Sequence, residues 1–256
     1  MKQFLAFGKK EIMEQIRTGR AFIVTVLFCL FGLMNPAIAK LTPWMMKLMS
    51  QELAQSGMHI GEVEVNAFSS WTQYFKNMPI AMIIFIVMFS GILTAEFQNG
   101  TLIQVITKGM NRWGILASKT MIMIIFWSLG CLLCYGITWI YNEYFWDNSI
   151  VKHEFFAAFC FYFLGLWLIT VILLVSTFFR WSRIVTLCTG AAFLGAYLVS
   201  LFPQVKAFSP VYLMNTMDIL MGTAKPQDYA AAIGITAACI IINILCSIVV
   251  FNRRYI

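Results

Sequence analysis

The residues able to do chemistry are few, and their spacing argues against catalysis. Histidine occurs only at His59 and His153, in separate polar segments, and no H-E-x-x-H zinc motif is present. Cys131 and Cys134 form a C-x-x-C pair inside a long apolar run, where small buried packing residues are a simpler reading than a redox or metal pair. Cys29, Cys160, Cys188, Cys239 and Cys246 also lie in apolar runs, so no disulfide outside the membrane is expected. The nearest approach to a phosphate-binding G-x-x-x-x-G-K-[ST] loop is Gly114-Ile-Leu-Ala-Ser118-Lys119-Thr120, which lacks the second glycine and has the first displaced by one residue. No apolar run holds a pair of carboxylates for acid–base work, and Asn243, deep in the last run, is expected to bond a neighbouring helix. The chain is therefore read as no enzyme, with no metal or cofactor of its own.

One stretch is charged in an informative place. EFQNGTLIQVITKGMNRWGILASK, residues 96–119, lies between two apolar runs and holds Glu96, Lys108, Arg112 and Lys119. Each would cost roughly 2.5–3.5 kcal/mol at the centre of a bilayer. Asn99-Gly100 is turn chemistry, Thr101 can cap a short helix, and Gly109 can end it. Leu102, Ile103, Val105 and Ile106 make that helix apolar on more than one side, so that one face rests on the protein and another is free for a partner's groove. A loop helix floating at the membrane surface is an equal alternative on these residues alone.

The elements that would position this stretch follow from composition. Of 256 residues, 61% are hydrophobic and 11% charged, against about 45–50% and about 25% in soluble domains. Lipid is the expected solvent. Residues 21–39, 78–95, 120–142, 155–179, 184–202 and 231–250 carry no Asp, Glu, Lys or Arg and are long enough to span. Each should be helical, since backbone groups in lipid must bond internally. The fold class is thus all-α and polytopic, a single transmembrane domain of six helices. Alternate gaps hold 12 Lys+Arg with 3 acids, the other gaps 6 with 8, which predicts that the first set and both termini face the cytoplasm. The net charge of +7 is a topology signal, and nothing points to nucleic acid.

Residues 1–19 place Phe4, Leu5, Gly8, Ile12 and Ile16 on one face of a basic amphipathic helix suited to the headgroup layer. An A-x-A cleavage pattern occurs at Ala37-Ile38-Ala39, but the long preceding segment with Glu11 and Glu14 argues against a signal peptide. Pro36 is expected to kink or end the first span, and Thr42-Pro43 to start a separate external helix within 40–77. That segment reads as a lid, a docking surface or a membrane-lying loop, and Trp71, Tyr74 and Phe75 as interfacial aromatics before the second span. Residues 203–230, apolar and proline-bearing, are expected to dip back into the outer leaflet as one or two short helices. The fifth span has small residues at Gly190, Ala191, Ala192, Gly195 and Ala196, which let another helix approach closely.

The order of these features resembles bacterial type-2 ABC transporter permeases. The resemblance rests on Glu96 followed by Asn-Gly-Thr-Leu, the apolar helix, Lys108-Gly109, Asn111-Arg112-Trp113 and the run to Lys119. The N-terminal helix ending at Arg17-Thr18-Gly19-Arg20, the six spans, and Phe208-Ser209-Pro210 before the last one complete it. It implies a six-span half-transporter that pairs with a second permease, as homo- or heterodimer, and binds a cytoplasmic ATP-binding cassette ATPase, with ATP and Mg on that ATPase. Residues 99–112 would hold the coupling helix, with Thr101, Leu102, Gln104, Val105 and Ile106 in the ATPase groove and Glu96, Lys108 and Arg112 as polar contacts. Gly190, Ala191 and Gly195 would lie at the dimer interface. The implied setting is the bacterial inner membrane. The 23 Phe and 16 Met suit export of an amphipathic, antimicrobial or toxin-like peptide, or a hydrophobic drug. The long segment 40–77 departs from polysaccharide exporters. The alternative is a non-transporting scaffold or sensor accessory that recruits a cytoplasmic partner.

Overall fold

The computed structural model describes residues 2–54, 65–107 and 109–254, and the side chains of 6–48, 65–107 and 109–254. His59 and Lys108 lie outside them. The described residues are overwhelmingly helical, with no strand among them. The α-helices are α1 (Lys2–Arg17), α2 (Arg20–Ala54), α3 (Ala67–Phe89), α4 (Gly91–Asn99), α5 (Thr101–Thr107), α6 (Arg112–Phe145), α7 (Glu154–Phe178), α8 (Ser182–Ser200), α9 (Met217–Leu220) and α10 (Ala230–Arg253). Among the described residues, six stretches are long and apolar enough to cross a membrane: Arg20–Leu48, Ala67–Asn99, Arg112–Phe145, Glu154–Phe178, Ser182–Ser200 and Pro226–Arg253. Several exceed the charge-free runs, because helices continue past the last apolar residue as long as each carbonyl finds a donor.

The first helix shows how. Pro36 and Pro43 both lie inside α2, which continues past each of them, so Pro36 does not end the helix. Pro36 has no N–H, so the Gly32 carbonyl one turn back loses its helical donor. Thr138 Oγ1 on α6 supplies it, donating to Gly32 O at 3.2 Å. The same hydroxyl accepts from Asn35 Nδ2 at 2.9 Å, and Asn35 Oδ1 accepts from Asn77 Nδ2 on α3 at 2.8 Å. Asn35, Asn77 and Thr138 are all buried, so this chain of amides ties α2, α3 and α6 together where water is excluded. Thr42 does not cap a new helix; its hydroxyl donates within α2 to Ile38 O.

Trp71, Tyr74 and Phe75 lie within α3 and are buried, not arrayed at a lipid boundary. Trp71 Nε1 donates to Asn148 Oδ1 at 3.1 Å, and Asn148 Nδ2 donates to Glu143 Oε2 at 2.9 Å. A 3-10 turn at Asn148–Ile150, after α6, is thereby folded back onto α3. Trp139, Tyr141 and Tyr144 on α6 do point outward.

Apolar side chains gain little from leaving lipid for protein, so close fit must hold the bundle. Trp127 of α6 lies in a notch at Gly165 of α7, where an added Cβ would stand 2.1 Å from the indole. Its Nε1 donates to Tyr162 O at 3.1 Å, and Phe28 of α2 meets it edge-on at 5.8 Å. Phe28 in turn needs Gly130, where a Cβ would fall 2.7 Å from its ring. The α7 span is 61% buried, against 11% for α8 and for α10, so α7 is central and those two are peripheral. Asn243 of α10 bonds Thr170 Oγ1 of α7 at 3.2 Å, as expected of a lone polar residue between helices. Residues 203–230 form 3-10 turns at Lys206–Phe208, Pro210–Met214 and Pro226–Tyr229 around the short α9, more pieces than expected.

Candidate functional site

The start of α6 holds the end of α10. Arg112, the first residue of α6, donates from Nη1 to the carbonyls of Phe251, Asn252 and Arg254 at 2.9, 3.1 and 2.7 Å. A cation on the orphan carbonyls of a helix C-terminus is favourable on both hydrogen-bond and dipole grounds.

Beside it sits a buried charge cluster assembled from three elements. Glu11 of α1, Glu96 of α4 and Lys119 of α6 are 0%, 4% and 1% exposed. Lys119 Nζ lies 2.8 Å from Glu11 Oε2 and 3.3 Å from Glu96 Oε1. Half-exposed Lys10 closes the cluster from outside, 3.3 Å from Glu11, 3.4 Å from Glu14 and 3.1 Å from Glu96. Burial disfavours the Lys10 charge, but the Glu11 and Glu96 carboxylates outweigh it and hold the ammonium above the ordinary lysine range. Three carboxylates face two ammoniums, and Glu96 Oε2 has no partner among the described residues. Oxygens of Glu11, Glu14 and Glu96 lie within 4.8 Å of one another. Lys10 Nζ contacts all three carboxylates, so an internal ammonium already fills the position a metal would take.

The cluster joins α1, α4 and α6 through short contacts in a low-dielectric setting, where losing a partner is costly. α4 leads through Gly100, in left-handed backbone at φ 65°, directly into α5. α5 ends before Gly109, at φ 84°, whose N–H donates to Ile106 O at 2.9 Å.

Within α5, Leu102 is buried and anchors the helix to the bundle. Val105 and Ile106 are half-buried and rest on the core. Ile103, 51% exposed, and exposed Gln104 and Thr107 face away. Thr101, Gln104 and Val105 also line a cavity of about 430 Å³ with Ala6, Phe7 and Lys10 of α1. The expected site residues therefore divide. Glu96 and Arg112 are engaged within the chain, Val105 and Ile106 are seated inward, and Gln104 is presented outward beside Ile103. On α8 a Cβ at Gly190 or Gly195 would meet nothing within 4 Å among the described residues, and Ala191 is exposed, whereas Ala196 packs against the core. Glu11, the deepest member of the cluster, was not singled out from sequence. Its one signal is an acid on the core-facing side of an amphipathic helix.

No protein-family model matches the chain, and no curated protein matches it.

Proposed function

We propose that this chain is the membrane-embedded permease half of an ATP-driven exporter of the bacterial type-2 ABC class. A separate cytoplasmic ATPase, holding ATP and Mg, drives it, and a second permease chain completes the path. The cargo is an amphipathic peptide or a hydrophobic drug. The observation that carries this reading is the mounting of α5: a short helix anchored by buried Leu102, with Ile103, Gln104 and Thr107 turned outward.

A force applied to the outer face of α5 passes through Gly100 into α4. From there the Glu96–Lys119–Glu11 contacts carry it to α6 and α1. A buried ion cluster suits this task, because it resists gradual deformation and moves its elements together. The open small-residue face of α8, with Gly190, Ala191 and Gly195, suits the second permease.

The test is Ile103→Asp, which alters an exposed side chain and leaves the core intact. It should abolish co-purification of the ATPase while membrane insertion and thermal stability stay normal. Retention of the ATPase at the native level would overturn the assignment of α5 as its seat. If the ATPase binds but no cargo moves, the scaffold reading replaces transport.

A further inference from the structure

At the end of the bundle opposite the charge cluster, a slot opens between α6 and α7. One wall is Ser128, Cys131, Leu132 and Tyr135 of α6; the other is Phe155, Ala158, Phe159 and Tyr162 of α7. Each wall repeats the spacing i, i+3, i+4, i+7, one helical face, so the slot follows both helices for about 10 Å. Its volume is about 320 Å³, and Tyr74 of α3 lines it as well, near the lower limit of about 300 Å³ for ligand pockets. The rims are apolar and open, with Leu132 67% and Phe155 71% exposed. Leu132 lies well inside a candidate span, and Phe155 lies at the start of the next beside Glu154, so the slot runs from an apolar stretch to its polar edge.

The polar groups are distributed unevenly. At the deep end, Ser128 Oγ and Tyr162 Oη bond each other at 2.9 Å. At the other end Tyr74 is 1% exposed, and among the described residues neither its hydroxyl nor that of Tyr135 has a hydrogen-bond partner. Both hydroxyls are free to donate into the slot, and an oxygen acceptor brought by a ligand would pair them away from water.

We infer that the slot between α6 and α7 binds one acyl chain of a bilayer phospholipid, with the ester oxygens accepting from Tyr74 and Tyr135 and the chain running toward Ser128 and Tyr162. The occupant is a lipid because the walls are apolar, the slot runs along a candidate span to its polar edge, and the unpaired donors sit at that edge, matching a chain with oxygen at its head. The site is independent of the transport reading and requires no ATPase.

The test uses the full chain in phosphatidylcholine vesicles doped with a phosphatidylcholine that carries a diazirine in its acyl chain, followed by photolysis and peptide mapping. Lipid tails exchange around a helix bundle with little preference, whereas hydrogen bonds in hydrocarbon supply about 1–2 kcal/mol. Labelling of Leu132, Phe155 and Phe159 should therefore exceed that of Ile83 and Val87, exposed apolar residues of α3, by about tenfold. Ala158→Trp fills the slot, and Leu132→Trp covers its mouth from an exposed position that cannot overpack the core; either should erase the excess. The double variant Tyr74→Phe/Tyr135→Phe should reduce it severalfold without changing the fold. Equal labelling of slot and α3 residues, or an excess that survives Leu132→Trp or the double phenylalanine variant, overturns the inference.

Discussion

Replacing Lys119 by methionine keeps the length of the side chain and removes its charge. The Lys119 ammonium is the only cation that lies wholly within the cluster; it stands 2.8 Å from Glu11 and 3.3 Å from Glu96, and all three residues are buried. Without it Glu11 and Glu96 face each other with only half-exposed Lys10 between them. Removing one partner of a buried pair leaves an uncompensated charge and costs about 3–5 kcal/mol. Lys10→Met is the control, because Lys10 is 48% exposed in its side chain, so water screens it and its loss should cost less than that of Lys119. The assay is reversible unfolding in mixed SDS and mild detergent, followed by far-ultraviolet circular dichroism. The double variant Glu11→Gln/Lys119→Met should cost less than the sum of the single variants, since the second change removes a charge the first left unpaired. The reasoning fails if Lys119→Met costs under about 1 kcal/mol, or if Lys10→Met costs as much.

Thr138→Val removes the donor to Gly32 O and the acceptor of Asn35, so it should destabilise by about 1–3 kcal/mol in the same assay. Gly165→Ala drives a methyl into Trp127 and should cost about 1–3 kcal/mol with a shift in tryptophan emission, whereas Gly190→Ala, in open space, should leave the isolated chain unchanged. Lys10 has a raised folded-state pKa, so its contribution is complete below the ordinary lysine value of about 10.4 and is lost as pH rises beyond it; Lys10→Met should flatten the alkaline limb of the stability profile. Asp147 accepts from Ser149 N–H at 2.8 Å, which holds its carboxyl below the usual range. That local contribution is present above the ordinary aspartate value and lost as pH falls through the depressed one, measurable as faster exchange of the Ser149 amide in acid.

The number and rough position of the spanning helices were legible because apolar runs free of charge have few other solutions. The end of α5 was legible too, since Gly109 marks it in any conformation that stops a helix there. The slot walls could have been read from the spacing 128, 131, 132, 135 and 155, 158, 159, 162, yet nothing in either run says that the two faces oppose each other. Pro36 misled because its effect depends on Thr138, a hundred residues away, which supplies the donor that the proline lacks. Trp71 and Tyr74 misled because burial in protein and placement at a lipid boundary favour the same residue types. The charge cluster was hidden for a related reason: Glu11 and Lys119 are 108 positions apart, and each alone resembles an ordinary flanking charge.

If the proposed transport reading is right, this chain moves solute only when a separate ATPase drives it. Flux of a labelled amphipathic peptide across sealed vesicles holding the purified chain, with and without a candidate partner ATPase and with and without ATP, measures this directly. Flux should occur only when both ATPase and ATP are present; flux from the chain alone, without a nucleotide-hydrolysing partner, would overturn the proposal.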